Sequence, residues 1–148
     1  MMKKVLIILA MVVSLIANDI VVKESSCSVD ETVYNLKNLI RGKNLSIFAL
    51  INHSANAKAV DMKLNESMMI IFGNPKIGTS LMQQDLRVGL DLPLRILVYK
   101  DNDGKVKMAY RDGSWLENKH ILNAPKKIKR LNKAMDKITT EAGLCKRD

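Results

Sequence analysis

The chain has 148 residues, enough for one ordinary domain and too few for two. Its 47% hydrophobic content supports a real core, while 4% aromatic residues leave little for the stacking platforms that single-stranded nucleic acids need. A formal net charge of +9 would suggest nucleic acid as a partner in the cytoplasm, but the N-terminus points to another compartment.

Met1-Met2-Lys3-Lys4 is a short basic stretch, and residues 5–17 follow it without a charge. That run falls short of the roughly 20 apolar residues a membrane-crossing helix needs and suits the apolar core of a secretory signal. Ser14 and Ala17 place small residues near its end, so cleavage after Ala17 is expected. Leu15 stands where a small residue is preferred, which keeps an uncleaved membrane anchor as the alternative. The expected product, residues 18–148, is a single periplasmic or secreted domain. Losing Lys3 and Lys4 lowers its charge to +7. Outside the cytoplasm, the polyanions within reach are lipid headgroups, cell-wall polymers and acidic proteins, not nucleic acid. Cys27 and Cys145 would lie where disulfides form. They either pair, stay free, or bridge to another chain.

In chain order, residues 18–24 carry Ile20, Val21 and Val22 and predict a first strand. Ser28 and Glu31 form a capping box, and Val29, Val33, Leu36 and Ile40 recur at helical spacing up to Gly42, a suitable stop. Leu45, Ile47, Ala49 and Ile51 alternate as in a strand with one buried face. Residues 68–72 form an apolar run that fits a buried strand. Asn74-Pro75 then caps a short helix reaching about Gln84. Residues 94–99 and 105–110 are two more strands, joined by Asp101-Asn102-Asp103-Gly104, whose Asp-Gly suits a tight hairpin. The register of that tetrad excludes a calcium-binding EF-hand loop. The last helix takes Asn123 as its cap, Pro125 in its first turn and Gly143 at its end. Ile128, Leu131, Met135, Ile138 and Ala142 face inward there, while Lys126, Lys127, Lys129, Arg130, Lys133 and Lys137 cover the rest. The expected class is α+β, two-layered: a mostly antiparallel sheet with two long helices on one face, in the order β-α-β-β-β-β-α, plus a short helix after the third strand.

The segment Ile71-Phe72-Gly73-Asn74-Pro75-Lys76-Ile77-Gly78-Thr79-Ser80-Leu81-Met82, together with Leu90-Asp91-Leu92-Pro93-Leu94-Arg95, resembles the domain-of-unknown-function 302 family. Asn52-His53-Ser54-Ala55-Asn56-Ala57 is similar to the segment after the second strand in one branch of it. The resemblance runs from about residue 29 to residue 144. It implies a compact α+β domain resembling the TATA-binding-protein-like fold, often paired as a homodimer. It implies no agreed reaction.

Residues 73–80 approach a phosphate loop, with both glycines and the final hydroxyl, but Thr79 stands where the lysine belongs. Asn74, Lys76 and Thr79 are therefore candidates for holding an anion at the helix start. The competing reading is a Pro-initiated helix whose glycines permit a tight turn. His53 is a candidate metal or haem ligand or proton carrier, with Met62, Met68, Met69 or Met82 as soft co-ligands. Otherwise His53 caps the next turn and the methionines fill the core. Arg95 should lie on the strand face opposite Leu94 and Ile96. There it would either join Lys105, Lys107 and Arg111 in a basic surface or pair with Asp91 or Asp85. The basic last helix could meet an anionic membrane surface. No cofactor is named by any pattern. The residues point to an exported, non-catalytic binding or accessory module whose partner is an acidic protein or an anionic small molecule, and the resemblance implies a homodimer. The alternative is a metal- or haem-binding redox protein or enzyme using His53.

Overall fold

The computed structural model describes residues 19–145, so the expected signal segment lies outside the described residues. Five strands, β1 (Val21–Ser25), β2 (Ser46–Asn52), β3 (Ser67–Gly73), β4 (Leu94–Lys100) and β5 (Val106–Tyr110), form one sheet in the order β1-β5-β4-β3-β2. Every neighbouring pair is antiparallel. The helices are α1 (Val29–Gly42), α2 (His53–Ala59), α3 (Pro75–Met82), α4 (Gly113–Lys119) and α5 (Pro125–Ala142), with a 3₁₀ turn at Leu86–Leu90.

Alternation decides which side of the sheet is covered. Ile70, Ile96 and Tyr110 are opposed across three strands, as are Met68, Val98 and Met108. These side chains meet Val33, Leu36 and Ile40 of α1 and Met135 and Ile138 of α5 in the main core. The two long helices therefore share one face, as the α+β class requires. Each fully buried aliphatic side chain there contributes roughly 1.5–3 kcal/mol. A second, smaller core gathers Leu81, Val88, Leu116 and Ile128 under the N-terminal half of α5.

The ends of the elements show where local chemistry acts. Both halves of the capping box form: Glu31 N donates to Ser28 Oγ at 3.2 Å, and Ser28 N donates to Glu31 Oε2 at 3.0 Å. Gly42 is not the stop residue. It closes the helix proper, and Asn44 takes the left-handed backbone at φ 55°. Leu45 N then reaches Ile40 O at 3.2 Å and Asn44 N reaches Arg41 O at 3.0 Å, the bond pair that ends many helices. Asn123 does not cap α5. Ala124 is the N-cap and offers no side chain, while Asn123 N donates to Gln84 Oε1 at 2.7 Å. Proline at the first helical position already removes one of the N–H groups a cap would serve.

The strict alternation expected of β2 is broken. The register slips between Ile47 and Ala49. Ile47 lies opposite Phe72 on the core side, but Ala49 and Ile51 lie opposite Ile71 and Met69 on the open side. The bulge re-aims Phe48, as bulges do. At the far edge, Cys27 and Cys145 form a disulfide that joins the start of α1 to the residues after α5.

Candidate functional site

The bulged Phe48 marks the mouth of a cleft of about 560 Å³. Its floor is the end of the sheet, Phe72, Gly73 and Leu94. One wall is α3 with Leu92 and Pro93, and the other is Leu131, Ala134, Met135 and Ile138 of α5. At Gly73 a Cβ would stand 3.8 Å from both Phe48 and Pro93, an ordinary packing distance, so the backbone there lies close under both rings. The volume lies within the range of small-molecule sites, and the walls are almost wholly apolar, as such sites usually are. Asn74 and Thr79 supply the polar atoms on the α3 side, and Lys127 and Arg130 project from α5. Lys127 Nζ also donates to Ser80 Oγ at 2.7 Å, tying the two walls together. Arg130 has no carboxylate partner among the described residues.

The expected anion turn is built differently from a phosphate loop. Asn74 Oδ1 accepts from Lys76 N at 2.9 Å and Ile77 N at 3.3 Å, so the residue's own side chain occupies the first amides of α3. Gly78 N is taken by Asn74 O at 2.9 Å. The Pro-initiated helix with a tight turn describes this geometry. Asn74 and Thr79 face the cleft, while Lys76 is exposed and is not among the cleft residues. The cations that border the cleft come from α5 instead.

His53 is the first residue of α2 and half-buried. It does not cap that helix: Asn52 Oδ1 accepts from Ala55 N at 2.8 Å. No group of three or more His, Cys, Asp and Glu side chains suited to a metal occurs among the described residues. Met62 is exposed on a loop, Met68 packs on the main core, Met69 lies on the open sheet face and Met82 lines the cleft, so these methionines are dispersed. Arg95 stands on the open face opposite Ile71 and donates from Nη2 to Leu90 O at 3.1 Å. It fastens a carbonyl, because both carboxylates offered to it are engaged elsewhere. Lys105 and Lys107 bond Glu24 and the hairpin aspartates, and Arg111 lies 4.2 Å above the Trp115 ring.

Those two carboxylates belong to a buried cluster that sequence reasoning missed. His120 Nε2 meets Asp91 Oδ2 at 2.6 Å, and Asp85 Oδ2 lies 3.8 Å from His120 Nδ1. Burial pushes the Asp91 carboxyl up, but hydrogen bonding from His120 and the approach of the Trp115 N–H, with the charges of His120 and Arg111, bring it below its ordinary range. Trp115 Nε1 points toward this carboxylate beyond hydrogen-bond geometry, and it and His120 Nδ1 are buried without a hydrogen-bond partner. Asp85 is held low chiefly by the Arg87 side chain and by the Ile121 N–H. The cluster ties the 3₁₀ turn to the end of α4 and backs the second core. Nothing in residues 85 to 120, read locally, signals that these groups meet.

The architecture and the cleft define a two-layer α+β domain with a ligand-sized apolar site bordered by cations. The chain belongs to the family described as Domain of unknown function DUF302, whose model matches residues 21–138. The crystal structure of an uncharacterized conserved protein DUF302 from Bacillus stearothermophilus has the same fold. Its TM-score is 0.63 at 16% identity, covering 85% of this chain and 94% of that one. Two relatives are named fluoride-specific ion channels: FluC 1 of Brucella suis and FluC 2 of Brucella melitensis. Each is 38% identical over 109 residues, which is 74% of this chain but 43% and 40% of theirs. The chain thus spans less than half the length of these relatives. Among the described residues, no helix is long and apolar enough to cross a membrane.

Proposed function

We propose that this domain is an exported, non-catalytic binding module whose cleft receives an elongated apolar molecule with an anionic end. The observation that carries the reading is the cleft itself, apolar along its length with Lys127 and Arg130 at its border. Where an amine meets a hydroxyl at its wall, Lys127 donates to Ser80 Oγ and that hydroxyl donates to Ile77 O, an arrangement that suits retention better than turnover. Export rests on the basic and apolar N-terminal residues, with the Cys27–Cys145 disulfide as support. A homodimer would use the open face of the sheet, where Met69, Ile71, Leu97 and Ala109 present apolar side chains away from both long helices. The length of the Brucella relatives favours an accessory role beside other machinery; channel activity is not part of this proposal.

The test is calorimetric titration with palmitate and with its uncharged analogue, hexadecanol. The acid should bind more tightly. Lys127→Ala with Arg130→Ala should erase most of that preference, up to about thirtyfold if each exposed contact is worth up to ~1 kcal/mol. Ala134→Phe, which fills the cleft from α5, should abolish both titrations. Binding of neither probe, or binding indifferent to Ala134→Phe, would refute the reading.

A further inference from the structure

Three aliphatic side chains stand further into solvent than any other large hydrophobic group among the described residues: Leu86 at 82% exposed, Ile121 at 77% and Leu90 at 76%. Ile121 is distant from the two leucines in sequence but not in the fold. The Asp85 carboxylate, next to Leu86, accepts from Ile121 N at 3.2 Å. The Asp91 carboxylate, next to Leu90, meets His120, which is next to Ile121, at 2.6 Å. The clamp faces inward, with the side chains of Asp85 and His120 each only 7% exposed. Val88, between the two leucines, is anchored in the second core. The fold thus fixes a tip from which three aliphatic groups project. A single exposed leucine is ordinary, but a pinned group of them is an apolar patch of the kind that marks an interaction surface.

The charges around the tip are mostly positive. Arg87 sits between the two leucines with its side chain 70% exposed. Arg95 reaches the Leu90 carbonyl, and Lys119 lies 4.9 Å above the Trp115 ring. The Asp85 carboxylate pairs with the inner edge of the Arg87 guanidinium and accepts from Ile121 N, Asp91 meets His120, and Glu117 on α4 remains exposed. We propose that this tip docks the protein on an anionic lipid bilayer. The aliphatic side chains enter the boundary between headgroups and acyl chains, and Arg87 and Lys119 meet phosphates. A protein interface would concentrate its energy in aromatic or arginine anchors seated in pockets; short aliphatic projections inside a cationic collar complement lipid. The docking is independent of what fills the cleft.

The test uses residues 18–148, the form expected after export, which contains every strand and helix among the described residues and both cores. It is a flotation assay with vesicles of phosphatidylcholine alone or mixed with phosphatidylglycerol. The protein should float with the anionic vesicles at low salt. Leu86→Asp with Leu90→Asp and Ile121→Asp should lower the bound fraction about tenfold or more, with circular dichroism unchanged. Val60→Asp with Leu144→Asp, altering aliphatic groups exposed elsewhere, should leave it intact. Trp115 is the one tryptophan, so brominated acyl chains should quench the wild type and not the triple variant. If the triple variant misfolds, Leu86→Ser alone carries the comparison. A wild type that stays off anionic vesicles would overturn the proposal, as a protein-binding tip would predict. Equal flotation of the tip variant, or equal loss in the control pair, would overturn it too.

Discussion

Reducing the Cys27–Cys145 bond should be the largest single loss of stability available without disturbing either core. The two cysteines are 118 residues apart, so the bond closes almost the whole described chain into one loop. In the chain-entropy model a loop of that length removes about 16 cal/mol/K from the unfolded ensemble, or about 5 kcal/mol at 25 °C. Domains of this size have only about 5–15 kcal/mol in total, so the bond would hold a third or more of it. The folded ends do not depend on the sulfurs alone. Ser26 N donates to Gly143 O at 2.8 Å, and Cys145 N donates to Ser26 Oγ at 2.8 Å. The reduced protein should therefore keep its fold and lose stability mainly through a freer unfolded state. Urea titrations with and without dithiothreitol, read by far-ultraviolet circular dichroism, measure this. With a slope near 2 kcal/mol/M, the midpoint should fall by about 1–2.5 M, and the slope should rise as the unfolded chain expands. Cys27→Ala with Cys145→Ala should behave like the reduced protein; alanine is preferred at 27 because that side chain is buried and a serine hydroxyl would need a partner. Coincident midpoints for oxidised and reduced protein would refute the loop argument.

The acid side of the stability curve should come in part from Asp85 and Asp91, whose carboxyls are both lowered on folding. Their contribution is fully present above the unfolded carboxyl value near 4 and is lost as pH falls through the folded values, so Tm should be flat above about pH 5 and drop below it. Asp91→Asn should weaken that drop, and an unchanged profile would remove Asp91 from it. Gly113→Ala should destabilise by about 1–3 kcal/mol in denaturant titration, because the new Cβ would stand 2.7 Å from Asn132 Oδ1, the acceptor of the Gly113 N–H. Leu36→Ala, in the main core with no exposure, should cost about 2–5 kcal/mol by the same assay. His53→Ala should leave palmitate affinity unchanged in calorimetry, since His53 is not among the cleft residues.

Where one residue's own neighbours decide the outcome, the sequence was legible. Ser28 and Glu31 cap a helix through groups three positions apart, and the unbroken run ending at Phe72 is a strand bounded by a loop before it and the Asn74-Pro75 helix start after it. α2 was missed because its seven residues bury nothing, so no apolar period announces it. α4 was missed because it begins on a buried glycine, Gly113, which reads as a breaker until Asn132 of α5 is seen accepting its N–H. The bulge at Phe48 depends on the partner strand, and alternation along β2 alone predicts the opposite face for Ala49 and Ile51. The cleft follows the same rule. Its α3 side was visible as a turn rich in glycine with a polar cap, and that turn drew attention to its own amides. Yet the side chain of Asn74 fills those amides, and the positive charge comes from Lys127 and Arg130, more than fifty residues later. On a helix with cations on most of its exposed positions, nothing local separates a lysine that borders a cavity from one that is merely solvated. The separation is made by what α5 crosses, and the clamp of His120 with Asp91 and Asp85 helps hold that crossing in place. A substitution that loosens the clamp should therefore alter the cleft without touching its walls. His120→Ala should raise the palmitate dissociation constant while Lys76→Ala does not, and the opposite order would return the site to the turn at Asn74.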